Sequence, residues 1–380
     1  LIDLIFVGTA LCLLGVTISI VNMGADVFHQ SITLLTLIDS IPIAFHVEPL
    51  GVLYACVASG LWLVTTIYAI GYMNANKEKH LARFYMCFCL AMAAVMGIAY
   101  SANLLTLFIF YELLTLSTYP LVAHKGTDVA KAGARVYLGI LMGTSIGFLL
   151  IAILWTWSIT GTLDFSVGGI LENELPDGLL MLLFALYVFG IGKAALMPFH
   201  RWLPAAMVAP TPVSALLHAV AVVKAGVFCV LKITVYVFGI DVLTSTSANS
   251  PIIWIATATM LLASLVALQQ DNLKARLAYS TISQLAYIVL GAVLATTTSI
   301  MGSSLHLATH AVGKITLFFC AGAIYTATKK TLVSDMHGLG RIMPFTFAAY
   351  TIAAISIIGL PPLAGSWSKW FLIDGAISAD

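Results

Sequence analysis

Twelve apolar runs follow one another along this chain, at about 1–22, 48–72, 84–101, 103–123, 132–159, 179–196, 211–239, 252–270, 277–297, 300–327, 342–360 and 362–379. At ~1.5 Å per residue, each of the longer runs can cross a ~30 Å hydrocarbon layer as a helix. Composition agrees. The chain is 61% hydrophobic and 9% charged, whereas a soluble domain carries roughly a quarter charged residues. An ordinary soluble fold is excluded, and an all-α polytopic membrane protein with about twelve transmembrane segments is predicted. A net charge of +1 leaves no basic arm for nucleic acid.

The six cysteines (Cys12, Cys56, Cys87, Cys89, Cys229, Cys320) all fall in apolar runs and form no CxxC or metal-type cluster. They read as small core residues. Residues 24–46, with "SITLLTLIDSIPIAFHV", alternate loosely and suggest a short hairpin outside the membrane. The chain starts at Leu1 without a cleavable signal pattern and stops at Asp380 directly after an apolar run. It therefore reads as part of a longer protein.

The loops fall into two groups. "NANKEKHLARF", "HKGTDVAKAGAR", "QDNLKAR" and "TKKTLVSDMHGLGR" are basic, while "LDFSVGGILENELPDG" and "GIDVLTSTSANS" hold no Lys or Arg. Alternate threading of the runs puts every basic loop on one face, which the Lys/Arg bias marks as cytoplasmic.

Against that background, five of the 17 Lys and Arg lie inside apolar runs and outside the basic loops: Lys193, Lys224, Lys232, Lys314 and Lys369. Glu112 sits near the middle of another, "LLTLFIFYELLTLSTYPL". An ionisable group at the bilayer centre costs ~2.5–3.5 kcal/mol on insertion scales, so such groups face the protein interior, pair, or line water. Lys232 has two readings. One is a snorkelling side chain near a helix end; the other is a member of an exit route toward the acidic loops. For Glu112, Lys193, Lys224 and Lys314 the snorkelling reading is weak.

Two runs are interrupted. "GIGKAALMPFHRWLPAAMVAPTPV" places Lys193 ahead of Pro198, Pro204, Pro210 and Pro212, and "IIGLPPLAGSWSKW" places Pro361, Pro362 and Gly365 ahead of Lys369. Proline removes a backbone donor and breaks the helix. Interrupted backbone at membrane depth must be buried in protein or line a cavity, and paired interrupted segments point to a repeated transporter. Between the breaks, His306, His310 and Lys314 share one helix face at i, i+4, i+8. The HxxxH spacing suits a metal, but no further ligand stands nearby, so a proton relay is the expectation, with no metal or cofactor. His218, six residues before Lys224, is a core histidine or a further relay member.

"FYELLTLSTYPL", "GKAALMPFHRWLPAAMVAPTPVSALLHAVAVVKAGV", "QQDNLKARLAYSTISQLAYIVLG", "LHLATHAVGKITLFFCAGAI" and "GLPPLAGSWSKW" together resemble the antiporter-like subunits of respiratory complex I and of Mrp-type sodium/proton antiporters. The resemblance runs from about Ala82 to the end. It implies two inverted five-helix bundles, each with a broken helix, in a protein of about fourteen helices. The halves would be 82–240 and 251–380, after an N-terminal part, 1–81. It also implies that Glu112, Lys193, Lys224, His306, His310, Lys314 and Lys369 form a proton-conducting line in the membrane plane. Lysine at 369 beside Lys224 is similar to the D subunit of Mrp antiporters.

The resemblance implies a proton-translocating subunit of a multisubunit cation (sodium)/proton antiporter, a multi-pass protein of the bacterial inner membrane with other membrane subunits as partners. In this expectation Glu112 and Lys193 lie about 4–6 Å apart and stabilise each other's charge. A membrane-arm subunit of a complex I type enzyme is the alternative; any redox chemistry would then belong to partners, since this chain carries no nucleotide loop or cysteine cluster. A scaffold, or a proton-flow partner in another complex, is a third reading.

Overall fold

The computed structural model describes residues 2–38, 41–171 and 175–379, without the side chains of Ala25, His29, Leu37, Ile38, Leu217 and His218. Glu172 and Glu174 of the acidic loop thus lie outside the described residues. The first crossing, α1 (Ile2–Asn22), leads into an antiparallel hairpin of β1 (Ser31–Ile38) and β2 (Ile41–His46), paired from Ser31↔His46 to Ile38↔Ile41. The hairpin expected over 24–46 is present over 31–46, whereas Gly24–His29 forms a short 3-10 helix. Then come α2 (Pro49–Ala75), α3 (Leu81–Ala99), α4 (Leu104–Val122), α5 (Asp128–Thr160), α6 (Asp177–Gly190), α7 (Thr211–Phe238), α8 (Ser250–Gln269), α9 (Leu273–Leu294), α10 (Thr297–Thr328), α11 (Pro344–Ile358) and α12 (Ala364–Ile377).

Among the described residues nine of these are long and apolar enough to cross a membrane; α6, α11 and α12 are shorter, at 14, 15 and 14 residues. The protein is a multi-pass membrane protein. Capping residues start the crossings at defined points: Asn103 accepts from the Thr106 N–H at 2.8 Å, and Thr296 with Ser299 forms a capping box. Proline opens α2 and α11, where its missing N–H leaves no bond unmade.

Hydrogen bonds between connections sort the loops onto two ends. At one end His46 N–H donates to Tyr100 O (2.8 Å), Leu104 N–H to Leu163 O (2.9 Å) and Ile170 N–H to Val237 O (2.8 Å). At the other, Lys329 Nζ donates to Asn76 Oδ1 (2.7 Å), Lys274 Nζ to Ala209 O (2.7 Å) and Leu273 N–H to Thr331 O (2.9 Å). The second end gathers the four basic loops, as alternate threading required. The first end holds the loops without Lys or Arg.

α7 is central. Its most apolar 18-residue stretch is entirely buried, whereas that of α1 is mostly exposed. Lateral exposure of α1, α8 and α12 leaves large apolar side chains such as Leu4, Trp254 and Trp370 on the outer surface, as hydrocarbon solvent permits.

Two crossings are broken. α6 starts at the acidic end and stops at Gly190. The chain then makes a 3-10 turn at Gly192–Ala194 and resumes as one helical turn at Trp202–Ala205 before reaching Ala209 at the basic end. The second break joins α11 to α12 through 359–363. The sequence shows 342–360 and 362–379 as two runs, yet they lie end to end along α10. Ile357 packs at Gly313, Ser368 bonds His306, and Leu372 packs at Gly302. Each half is only 14 or 15 residues long, about 21–23 Å as helix, too short to span alone.

Bare glycine backbone makes both breaks possible. A Cβ on Gly226 of α7 would stand 2.3 Å from Lys193 C, and one on Gly365 would stand 1.7 Å from Ser356 O. Only residues without a side chain let α7 touch the first break and α12 fold back on α11.

Candidate functional site

Lys193 sits in the 3-10 turn of the first break, fully buried. Its Nζ donates to Thr115 Oγ1 (2.6 Å) and Tyr111 O (2.8 Å), both on α4, and stands 3.1 Å from the Tyr111 ring centroid. The Tyr111 hydroxyl accepts from the Lys193 backbone N–H (3.1 Å), and Trp202 Nε1 donates to Gly192 O (2.9 Å). The broken turn is thus held by side-chain partners and the ammonium by oxygens and a π face, which offset its desolvation.

Glu112 occupies the next position on α4, half-buried, and neither carboxylate oxygen has a hydrogen-bond partner among the described residues. Glu112 and Lys193 do not form an ion pair within 4.0 Å, although the Glu112 carboxylate is the strongest charge acting on Lys193. Lys193 reaches the backbone of the preceding residue, Tyr111, and the hydroxyl of Thr115. One residue along a helix turns a side chain by about 100°, and Glu112 consequently points elsewhere.

The central group is contiguous. Lys224 Nζ on α7 bonds His310 Nδ1 on α10, and His310 stacks on His306 with ring centroids 5.7 Å apart. His306 Nδ1 lies 2.9 Å from Ser368 Oγ on α12, and its Nε2 lies 3.1 Å from Gln284 Oε1 on α9. Four elements thus meet at two imidazoles. Lys314, also fully buried, donates to Ser280 Oγ (2.8 Å) and Leu277 O (3.2 Å) on α9. Lys369 follows Ser368 directly. It donates to Ile358 O (3.1 Å) and lies 4.8 Å from the Tyr287 ring centroid. A cavity of about 420 Å³ between α8, α9 and the second break is lined by Arg276, Ser280, Ser283, Gln284 and Lys369.

Lys232 is not a snorkelling side chain. It is fully buried, donates to Ser101 O (2.7 Å), and forms an ion pair with Glu48 Oε1 at 2.8 Å. The side chain of His218 lies outside the described residues. No group of three or more His, Cys, Asp or Glu among the described residues could hold a metal ion.

Sequence reasoning missed Glu48, the ion-pair partner of Lys232, and the neutral partners Tyr111, Thr115, Ser280, Gln284 and Ser368. Glu48 carried a signal: a lone carboxylate in "HVEPLG", directly ahead of a proline-initiated apolar run. The hydroxyl and amide partners carried none that separates them from ordinary intrahelical Ser and Thr.

Residues 101–380 match the family described as "NADH:quinone oxidoreductase/Mrp antiporter, TM". The chain belongs to this family of antiporter-like membrane subunits. Among curated relatives, NADH-quinone oxidoreductase subunit N of Desulforudis audaxviator is 34% identical over 83% of this chain and 63% of its own length. An Na(+)/H(+) antiporter subunit of Alkalihalophilus pseudofirmus is 32% identical over 93% of this chain and 45% of its own. The chain spans about half to two thirds of the curated relatives it matches.

Among solved structures, a chain of the Mrp complex from Dietzia sp. superposes with a TM-score of 0.86 at 24% identity, over 100% of this chain and 70% of that one. A chain of the membrane-bound sulfane sulfur reductase, an archaeal respiratory membrane complex, gives 0.82 at 25%, over 99% and 80%.

Proposed function

We propose that this chain is a proton-translocating subunit of a multisubunit cation (sodium)/proton antiporter, passing protons along buried Glu, Lys and His side chains. The observation that carries this reading is the packed group Lys224–His310–His306–Ser368, four polar side chains from α7, α10 and α12, all buried at membrane depth, hydrogen-bonded at each end and joined by stacked imidazoles between. A buried lysine without a counter-ion is costly and is retained where it works. Neutral imidazole accepts a proton on one nitrogen and gives one from the other. His306, with both nitrogens bonded, is set for that exchange.

Glu112 and Lys193 act as the switch at the first break. Loss or gain of a proton on Lys193 changes its attraction to the Glu112 carboxylate. At an effective dielectric near 20, a unit pair ~4 Å apart interacts by roughly 4 kcal/mol, and the interaction weakens in inverse proportion to distance. The two halves, 82–240 and 251–380, form inverted repeats in this reading. In support, the broken crossings run in opposite senses between the two ends, and each follows an unusually long helix, α5 of 33 and α10 of 32 residues. The basic loops face the cytoplasm of a bacterial inner membrane, and other membrane subunits of the assembly are the partners.

A complex I type assembly is the second reading, favoured by the 34% identity to a quinone oxidoreductase subunit. Purification of the native assembly separates the two, since co-purifying iron–sulfur and flavin proteins would establish the redox-driven pump. Transport itself is tested in vesicles carrying assembled complexes with Glu112→Ala or Lys193→Ala. Loss of proton flux is expected, and flux at the unmutated rate with assembly intact contradicts the switch.

A further inference from the structure

Lys232 and Glu48 stand apart from the central group, at the acidic end of the molecule. Glu48 immediately precedes α2, and Lys232 lies two turns beyond Lys224 on α7. Their N–O distance is 2.8 Å, and among the described residues this is the only ion pair with both side chains buried. Lys232 is held on its other sides by Ser101 O (2.7 Å) and by the Phe165 ring, 4.4 Å away. On the interior side, Cys229 lies within electrostatic reach of both Lys193 and Lys232. On the outer side a cavity of about 220 Å³ is lined by His46, Glu48, Ser101, Ala102, Phe165 and Tyr236. These lining residues belong to the hairpin, the α3–α4 connection, the loop after α5 and the end of α7, all at the acidic end.

Resting on the proton-pathway reading above, we propose that Glu48 and Lys232 form its terminal proton-exchange site, through which protons pass between the buried lysines and water in the acidic-end cavity. The exchange conserves atoms and charge. An ammonium on Lys232 transfers one proton to Glu48 Oε1, breaking one N–H bond and forming one O–H bond. The resulting carboxylic acid releases that proton to cavity water, and the carboxylate pairs again when Lys232 is next protonated from within. Transport in the other direction reverses these steps. The further titratable groups facing the pair are His46 on β2, with Cys229 and Tyr236 on α7.

The rival reading is a structural staple between α2 and α7. The two make opposite demands on a paired apolar replacement, because removing both members of a buried ion pair is commonly neutral or stabilising, whereas removing one strands the other. The experiment uses the full-length protein in its assembled complex, reconstituted in vesicles with a pH-sensitive dye. It compares Glu48→Gln, Glu48→Asp, the double variant Glu48→Gln/Lys232→Met, and Lys193→Ala.

A terminal exchange site predicts at least a tenfold loss of proton flux in Glu48→Gln and in the stable double variant, with Glu48→Asp retaining most of it. Wild-type flux in the double variant, with Lys193→Ala inactive, overturns the site while leaving the pathway standing. Wild-type flux in all of these variants removes the pathway and the site together. Where Glu48→Gln fails to assemble, Ala102→Cys decides. Flux blocked by a membrane-impermeant thiol reagent added on the acidic side supports the site, and flux indifferent to complete labelling there overturns it.

Discussion

The two broken crossings share a local recipe and differ in setting. Each combines proline, a bare glycine contact and a lysine. Lys193, in the first, is sealed beneath α4 and α7 with two oxygen acceptors and an aromatic face. Lys369, in the second, is half-buried at the periphery, with one carbonyl and a more distant ring. Sequence determines that a helix must break, while packing determines whether the break is sealed inside the protein or lies beside a cavity. In the proposed pathway Lys193 holds its proton in a fixed cage, and Lys369 meets the 420 Å³ cavity and whatever adjoins it.

The largest expected effect falls on the sealed break. Lys193→Ala in the assembled complex should lower proton flux by about 100-fold, roughly 2.7 kcal/mol on the barrier. Dye-monitored flux in vesicles checks this. Lys369→Ala should lower the same flux by only about 10-fold, roughly 1.4 kcal/mol, because water in the cavity can substitute for a half-buried amine. Equal losses at both lysines would erase the distinction between switch and port.

Backbone contact sharpens the comparison next. Gly226→Ala drives a methyl from a fully buried helix against the Lys193–Ala194 backbone, so it should destabilise the protein by about 1–3 kcal/mol, as overpacking does. Gly365→Ala meets the single carbonyl of Ser356 and should unfold less readily than Gly226→Ala, since α12, exposed along its outer face, can shift outward. Thermal melts in detergent rank the two.

The smallest effect belongs to a control at neither break. His124, in the loop after α4, is held neutral by burial and by the charges of Arg83, His80 and Lys125, which push its pKa down to about 4. Unfolded histidine titrates near 6.5. The unfolded chain therefore binds more protons between pH 6.5 and 4, and stability should fall as pH drops through that window. His124→Gln should flatten this part of the stability profile without changing flux.

Much of this was legible in the sequence. Apolar runs located the crossings, basic loops sorted their ends, and the intramembrane lysines marked both breaks and the central group. What sequence could not show was which oxygens each lysine would meet. Nothing in "FYELLTLST" says that Lys193 bonds Tyr111 O and Thr115 rather than the carboxylate of Glu112, because one residue of helical rotation decides it. Glu48 and Lys232 belong to different crossings, and only folding brings them together. Likewise 342–360 and 362–379 read as two crossings until their packing along α10 shows one interrupted by its own prolines.

Lys224→Met tests the central claim most directly, because Lys224 joins α7 to His310 and so to every group beyond. In the assembled complex, with proton flux measured in vesicles under an imposed pH gradient, flux should fall to background while the complex stays intact. Undiminished flux through that variant would contradict a path along these side chains.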